Sequence, residues 1–354
     1  MTGDVQGFPL RFTKGLQVTR GNTTMLDSTA PMWLLLPLLL GFLAWTALGL
    51  ADATPFDKAP SGARPSKAEA PPLPDKVEPY PVVADIAFAE GPIFDRQGNL
   101  YLVNYHSLGT LGRRTPDGTV SVWVHTGGQA NGLKVDGLGN IVVADYGGKR
   151  ILRIHPITRQ IEVLTSECEG KPYLGPNDVC LDLAGNIYFS DPTGSSKENP
   201  IGAVYRIQMS AENAVERVTC IAEELAFPNG LAVSPDQKRL YVAESGTNRL
   251  LCWDLKRGGG LTAKRTVIQF PTDTLDGIMF DEHGRLWVAR WTNGTVDVVD
   301  VEKGELLKSY PAGGDQVTNL CWWGTDLYLT VAGQGSIHRM EVGVRGADII
   351  PRPR

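Results

Sequence analysis

Five segments of the chain repeat one order of polar and apolar positions. Each starts with a polar residue, continues as a short apolar run, turns at a Gly- or Asp-containing stretch, and ends in a second run rich in Val, Ile, Leu, Tyr or Trp. Two such runs separated by a turn signal predict a β-hairpin. The leading polar residues are Glu90, Asn131, Asn177, Asn229 and Asp276.

The spacing of these hairpins predicts a closed repeat architecture. Their leading residues lie 41, 46, 52 and 47 residues apart, close to the length of one propeller blade. A sixth, degenerate copy starts at Val317, and no convincing helical periodicity interrupts the series. We therefore predict an all-β, six-bladed β-propeller over residues 82–342. The predicted blades are 90–125, 131–165, 177–225, 229–270, 276–311 and 317–342, and residues 82–88 close the last blade as its outer strand.

The chain before the propeller has a different composition. Residues 33–51 form an uncharged apolar stretch of nearly the length that spans a bilayer. A leader that contains basic residues, 1–32, precedes this stretch. Residues 52–81 are rich in Pro, Ala and Lys, a composition that predicts a flexible linker. Residues 343–354 form a tail to which the sequence assigns no role.

The apolar stretch predicts export of the propeller. Basic residues before it favour a cytoplasmic N-terminus, which places the propeller in the periplasm or outside the cell. Two alternatives stay open for the stretch itself. As an uncleaved signal anchor it would tether the protein to the membrane, and as the core of a cleaved signal peptide it would yield a secreted protein. The sequence predicts no oligomeric state.

Charge and cysteine content limit the classes of partner. The net charge is −5 with a pI near 5.6, and no basic run exceeds a dipeptide, so we expect no nucleic-acid partner. The five cysteines contain no CxxC pair and do not cluster with histidine, which argues against a zinc site. A Cys168–Cys180 disulfide in an oxidising compartment and buried free thiols are the alternatives.

The leading polar residues offer a ligand set for a metal ion. A propeller directs the start of each innermost strand at one central channel, so Glu90, Asn177, Asn229 and Asp276 are expected to meet there. Two carboxylates and two amide oxygens suit a hard divalent cation, and calcium tolerates irregular coordination by oxygen. We predict one divalent metal ion, calcium first, with magnesium, manganese and zinc as alternatives.

Other polar and aromatic residues are candidates for contact with the substrate. Asn131 holds the equivalent position in blade 2 and is predicted to line the pocket. His106 follows the second strand of blade 1, and Arg290 and Trp291 lie in the string VARW of blade 5. These four residues are predicted substrate contacts.

Several strings of the sequence resemble the gluconolactonase/regucalcin (senescence marker protein) family of six-bladed propellers. They are AEGPIFD (89–95), GPNDVCLD (175–182), IYFSDPTG (187–194), PNGLAVSPD (228–236) and LDGIMFDEHGRLWVARW (275–291). In that family the Glu, the two Asn and the Asp of these motifs hold one divalent metal, which implies Glu90, Asn177, Asn229 and Asp276 here. The family hydrolyses sugar lactones and other lactones, and some relatives cleave organophosphate esters. The resemblance therefore implies a small lactone or ester as substrate.

The predicted reaction is hydrolytic opening of a lactone ring. A bound cation polarises the carbonyl group while water attacks its carbon. Asp276 is the predicted general base as well as a ligand, because one oxygen can bind metal while the other accepts a proton, and Glu90 is the alternative base. Two other functions stay open: a strictosidine-synthase-like or arylesterase-type propeller that acts on other esters, and a non-catalytic NHL-type binding propeller.

Overall fold

The computed structural model describes residues 70–272, 274–348 and 350–351. The leader, the apolar stretch 33–51 and most of the predicted linker lie outside these residues, and the predictions for them stay predictions. Among the described residues, no helix has both the length and the apolar character needed to cross a bilayer.

Six four-stranded antiparallel sheets form the body of the protein, which confirms the predicted all-β propeller. Blades 1 and 2 comprise β2 Ile93–Phe94, β3 Leu100–Val103, β4 Thr110–Arg114, β5 Val120–His125, β6 Ala130–Val135, β7 Ile141–Asp145, β8 Arg150–Ile154 and β9 Ile161–Thr165. A small hairpin, β10 Glu167–Cys168 and β11 Lys171–Pro172, precedes blade 3, which comprises β12 Val179–Leu181, β13 Ile187–Asp191, β14 Gly202–Met209 and β15 Val215–Leu225.

The remaining blades follow the same order of strands. Blade 4 comprises β16 Pro228–Val233, β17 Arg239–Glu244, β18 Arg249–Leu255 and β19 Leu261–Gln269, with a 3₁₀ turn at Ser245–Thr247. Blade 5 comprises β20 Leu275–Phe280, β21 Leu286–Arg290, β22 Thr295–Asp300 and β23 Glu305–Pro311. Blade 6 comprises β24 Val317–Trp323, β25 Asp326–Val331 and β26 Ser336–Glu341, with a 3₁₀ turn at Ala332–Gln334.

The first strand, β1 Tyr80–Val83, closes the wheel. It pairs antiparallel with β26 as the outer strand of blade 6, so the predicted closure is confirmed although the strand begins earlier than residue 82. The preceding segment also contacts the propeller. The carbonyl of Pro71 accepts a hydrogen bond from Arg285 (2.9 Å) and that of Pro74 accepts one from Tyr310 (2.6 Å). The predicted linker therefore ends before residue 71.

Burial along the strands explains why each blade repeats one pattern. The inner strands β16 and β20 are buried at every position, whereas the outer strands β9 and β23 each have a single buried residue. In four blades an Asp directly follows the inner strand, and its Oδ1 accepts backbone N–H groups of the turn. The four residues are Asp95, Asp136, Asp182 and Asp281. This turn chemistry is the physical origin of the repeated Asp-Gly signal.

The C-terminal segment packs on the propeller, and only residue 349 and residues 352–354 of it lie outside the described part. Val344 and Ala347 are buried. The N–H of Ala347 donates to the carbonyl of Phe280 (2.9 Å), and Arg96 donates to the carbonyl of Pro351 (3.0 Å). The predicted unassigned tail is therefore a structural segment that connects blades 5 and 1.

All five cysteines are free thiols, so the Cys168–Cys180 pairing is not formed. Cys168 lies in β10 and its Sγ faces the carbonyl of Val218 at 3.8 Å. Cys180 is buried in the inner strand β12. The two residues flank one loop in sequence, but Cys168 belongs to the separate β10–β11 hairpin and Cys180 to the inner strand of blade 3.

Candidate active site at the propeller axis

The start of the inner strands brings the predicted ligands together. Glu90, Asn229 and Asp276 are buried, and Asn177 is half-buried. The Asp276 carboxyl group lies close enough to Glu90 and to the Asn229 side chain for both to shift its pKa, Glu90 upwards and Asn229 downwards, although burial raises it most. Backbone contacts hold blades 2 and 3 together at the same level, where Gly132 N–H donates to the carbonyl of Asn177 (2.9 Å). The closed wheel therefore places these side chains around one axis.

Three oxygens at this axis have no hydrogen-bond partner. Within the described part of the chain, the only buried side-chain oxygens without a partner are Asn177 Oδ1, Asn229 Oδ1 and Asp276 Oδ1. Buried polar atoms are almost always hydrogen-bonded, because an unsatisfied one costs about 1–3 kcal/mol. Three such oxygens from three different blades fit a cation as their missing partner. The donor set is all oxygen, which favours calcium over zinc.

The carboxyl groups of the site titrate abnormally. Burial, followed by the charge of Asp178, raises the pKa of Glu90 to about 8. Burial, followed by the charges of Glu90 and Asp178, raises the pKa of Asp276 well above its ordinary value. These acids can all be ionised together in a buried space only if a cation balances their charge. Without a cation, some of them bind protons. Among the described residues, no group of three or more His, Cys, Asp or Glu is arranged as a metal site, and two of the four candidate ligands are amides.

Asp178 is a third acid at the axis that the sequence analysis did not identify. It is buried, burial raises its pKa, and it follows the candidate ligand Asn177 directly. At the same position blades 1, 2, 4 and 5 carry glycine. The sequence did contain a sign of this role, because Asp178 is the one acidic residue at a position where four of the other five blades carry glycine.

Glycines of neighbouring blades leave the space that Asp178 and Asn319 occupy. A Cβ on Gly132 would lie 2.8 Å from Asp178 Cα and still closer to its Oδ1. A Cβ on Gly277 would lie 2.8 Å from Asn319 Cα and closer to its amide oxygen. Asn319 Nδ2 in turn donates to Asp178 Oδ2 at 3.4 Å. The alternation of glycine with polar side chains thus fills the axis without steric overlap.

A buried lysine lies in the same channel. Lys134 is 6 % exposed, and its Nζ donates to the carbonyl of Leu133 at 3.1 Å. Its positive charge lowers the pKa values of Asp178 and Glu90, against the larger effect of burial. A cavity of about 20 Å³, lined also by Cys180 and Met279, adjoins it. Lys134 offsets part of the negative charge that the three acids bring to the axis.

The predicted substrate contacts lie at the same end of the blades as the ligands, but they differ in accessibility. Asn131 is half-buried and its Nδ2 donates to the carbonyl of Asn177 at 3.1 Å. His106 is exposed, with φ +62°, and its ring lies 3.9 Å from that of Tyr105. Trp291 is half-buried and its ring lies 6.1 Å from that of Phe88. Phe88, two residues before Glu90, is a wall candidate that the sequence analysis missed.

Arg290 differs from the other predicted substrate contacts. It is 2 % exposed, it pairs with Asp297 (2.6 Å), and it donates to the carbonyl of Thr272 (2.6 Å). Its guanidinium also lies 4.1 Å from the ring centre of Phe270. The guanidinium group is therefore occupied by contacts within the protein. Arg290 stabilises the loop before Asp276 and does not form an open wall of the pocket.

Comparison with known proteins identifies the family of the chain. The SMP-30/Gluconolactonase/LRE-like region matches residues 88–333 of the chain. A gluconolactonase of Zymomonas mobilis is 28% identical over 304 residues, 77% of this chain and 83% of that protein. A diisopropyl-fluorophosphatase of Loligo vulgaris is 27% identical over 252 residues, 63% of this chain and 78% of that protein.

A solved structure shares the fold over nearly the same region. The gluconolactonase XC5397 of Xanthomonas campestris superposes with a TM-score of 0.65 at 25% identity, and the match covers 76% of this chain and 90% of that one. The matched region contains all four candidate ligands as well as Asp178 and Lys134. The chain belongs to the SMP-30/gluconolactonase/LRE-like family of propeller hydrolases.

Proposed function

We propose that this protein is a calcium-dependent lactonase that hydrolyses sugar lactones or related lactones at the propeller axis. The observation that carries the proposal is the set of three buried oxygens without a partner, on Asn177, Asn229 and Asp276, next to the buried carboxyl group of Glu90. The similarity to the Zymomonas gluconolactonase over most of the chain supports a lactone as substrate.

The residues of the site have separate tasks in this proposal. Glu90, Asn177, Asn229 and Asp276 would hold the cation, which when bound supplies Lewis-acid polarisation of the substrate carbonyl. Asp276 accepts the proton of the attacking water. Its raised pKa brings it nearer to neutrality, where general bases are most efficient. Glu90, with a pKa of about 8, is the alternative base. Phe88 and Trp291 exclude water from one side of the substrate.

Activity with and without metal tests the proposal directly. The purified full-length protein is mixed with aldonolactones, aliphatic lactones, aryl esters and a phosphotriester, and acid release is followed against the uncatalysed rate. We expect lactone turnover that EDTA abolishes and that added CaCl₂ restores. Turnover confined to aryl esters or the phosphotriester would support the ester-specialised alternative. Bound calcium without turnover of any compound would favour the binding propeller.

The effect of calcium on stability is expected to increase with pH. The pKa of Glu90 is raised from 4.5 to about 8, so between these values the metal-free folded protein binds more protons than the unfolded chain. Its stability therefore falls as the pH rises through this window. Bound calcium replaces the protons, and its affinity grows as they leave. The Tm increase caused by CaCl₂ is expected to be larger at pH 8 than at pH 5.5.

Thermal unfolding at the two pH values, with CaCl₂ or EDTA, measures this effect. The variant Glu90→Gln lacks one titrating group, so the stability of the metal-free protein is expected to depend less on pH than in the wild type. The raised pKa values of Asp276 and Asp178 leave part of the dependence in place. An equal calcium-induced Tm shift at both pH values would contradict the role of Glu90 as a ligand that protons block.

A further inference from the structure

Each of the first five blades repeats a contact between the end of its second strand and the loop that leads into its inner strand. The last residue of the second strand, or the one after it, forms a hydrogen bond with the backbone of this loop. The bonded backbone group lies two to four residues before Glu90 or the residue at the equivalent position of the other blades. The bonds are Asn104 Nδ2 to Phe88 O (3.0 Å), Gln129 N to Asp145 Oδ1 (2.8 Å), Gly175 N to Asp191 Oδ1 (2.5 Å), Ala226 N to Glu244 Oε1 (3.2 Å) and Arg290 Nη2 to Thr272 O (2.6 Å).

Asp191 makes the most complete contact of this kind. Its two carboxylate oxygens accept the N–H groups of Leu174 (2.8 Å) and Gly175 (2.5 Å). The side chain is 1 % exposed. Carboxylates that accept backbone N–H groups form stronger hydrogen bonds than neutral acceptors do. The loop two residues before Asn177 is therefore fixed to the end of β13.

Further bonds leave the loop little freedom at Asn177. Asn177 N donates to the carbonyl of Ser190 at 2.9 Å, and Thr193 Oγ1 donates to the carbonyl of Gly175 at 3.2 Å. A Cβ on Gly175 would lie 3.2 Å from Thr193 Cβ and closer to its hydroxyl oxygen. This network fixes the backbone from which the unpartnered Asn177 Oδ1 reaches the axis.

We propose that Asp191 is a positioning residue that holds Asn177 Oδ1 in place for the cation. The inference rests on the proposed function, since it needs a cation at the axis. Asp191 acts through the backbone N–H groups of Leu174 and Gly175 and contacts neither metal nor substrate. Replacement by Asn keeps the size of the side chain but presents an NH₂ group to one of the two N–H donors, so one bond is lost and the loop shifts.

The chain contains a matched control for this role. Asp145 has the same place in blade 2, is equally buried, and accepts the N–H groups of Gln129 and Gly148 (2.8 and 3.1 Å). It also pairs with Arg150 at 2.8 Å. Its loop leads to Asn131, which is not among the four candidate ligands. Asp145→Asn removes an equally buried carboxylate, together with its ion pair to Arg150, next to a loop that carries no candidate ligand.

Calcium titration calorimetry on the full-length protein tests the proposal. Asp191→Asn is expected to weaken calcium binding about 10- to 100-fold, the usual effect of losing an outer-shell partner. Asp145→Asn is expected to change the Kd by less than about threefold. Terbium luminescence lifetimes in H₂O and D₂O add a structural readout, and the Asp191→Asn variant is expected to gain about one bound water as Asn177 leaves the coordination shell.

The outcomes separate this inference from the proposed function. Wild-type protein that binds neither calcium nor terbium would contradict the metal site itself. Wild-type binding with an unchanged Kd in Asp191→Asn, or with equal weakening in Asp145→Asn, would contradict only the role of Asp191. If Asp191→Asn does not fold, Thr193→Val removes a single bond to the same loop, and a smaller loss of calcium affinity is expected. An unchanged Kd in that variant would overturn the proposal.

Discussion

Replacing Asp276 by Asn is expected to lower kcat for lactone hydrolysis by about 10²- to 10⁴-fold, the usual contribution of a general base. The substitution keeps the shape of the side chain but removes its charge and its capacity to accept a proton. Calcium binding should weaken as well, because Oδ1 of Asp276 is one of the three oxygens that lack a protein partner. Steady-state kinetics at saturating CaCl₂ separates the two losses.

Two comparisons make this result specific. Asp300→Asn removes a carboxylate from the same blade and is expected to leave kcat unchanged. Asp300 is the last residue of β22, and its Oδ1 accepts the N–H groups of Glu302 and Lys303 in the following turn. Glu90→Gln tests the alternative base. Normal kcat in Asp276→Asn once calcium saturates the site, together with a large loss in Glu90→Gln, would transfer the role of general base to Glu90.

Gly230→Ala is expected to destabilise the protein by about 3 kcal/mol and to abolish tight calcium binding. Gly230 lies inside β16, where a Cβ would lie 2.7 Å from Gly277 Cα, 2.8 Å from Ile278 N and closer to the carbonyl oxygen of Asp276. These atoms belong to the backbone of β20, so the inner strands of blades 4 and 5 must separate. Overpacking of this kind typically costs 1–3 kcal/mol or more.

The loss of metal binding follows from the same movement. Asn229 precedes Gly230 and Asp276 precedes Gly277, so separation of the strands displaces two of the four candidate ligands. Thermal unfolding should show a Tm decrease of roughly 6–12 °C, and calorimetry should show calcium binding weakened by more than tenfold. Gly258→Ala is the control, because this glycine lies in the turn between β18 and β19 of the same blade and a Cβ there meets nothing within 4 Å. A Gly230→Ala variant with normal Tm and Kd would contradict the close approach of the two strands.

The propeller and the phase of its repeat were predictable from the sequence because both depend on local patterns. Short apolar runs bounded by turn signals determine the strands, and Asp side chains such as Asp95 and Asp136 stabilise the turns between them. Because each repeat starts at the same point of its blade, Glu90, Asn177, Asn229 and Asp276 occupy equivalent positions. A glycine follows three of these residues. Gly230 and Gly277 lie inside strands, where they allow close approach of neighbouring backbones.

Residues that depart from the repeat were not identified from the sequence. Asp178 and Asn319 replace the glycine found at this position in four other blades, and Lys134 is a cation among apolar neighbours. Each looks like an ordinary surface residue in a single repeat. Asn319 and Asp178 are 141 residues apart in the chain, and only closure of the wheel brings blades 3 and 6 into contact across the axis.

The sequence by itself determined the fold class, the six repeats and the identity of the four candidate ligands, because strand periodicity, turn chemistry and repeat phase act over a few residues. The tertiary structure decided the electrostatics of the site. It brought a third acid and a lysine to the axis, left three oxygens without partners, and turned Arg290 and Asp191 into supports of the loops that carry the ligands. Burial and charge interactions depend on which blades face one another, and that arrangement exists only after the ring has closed.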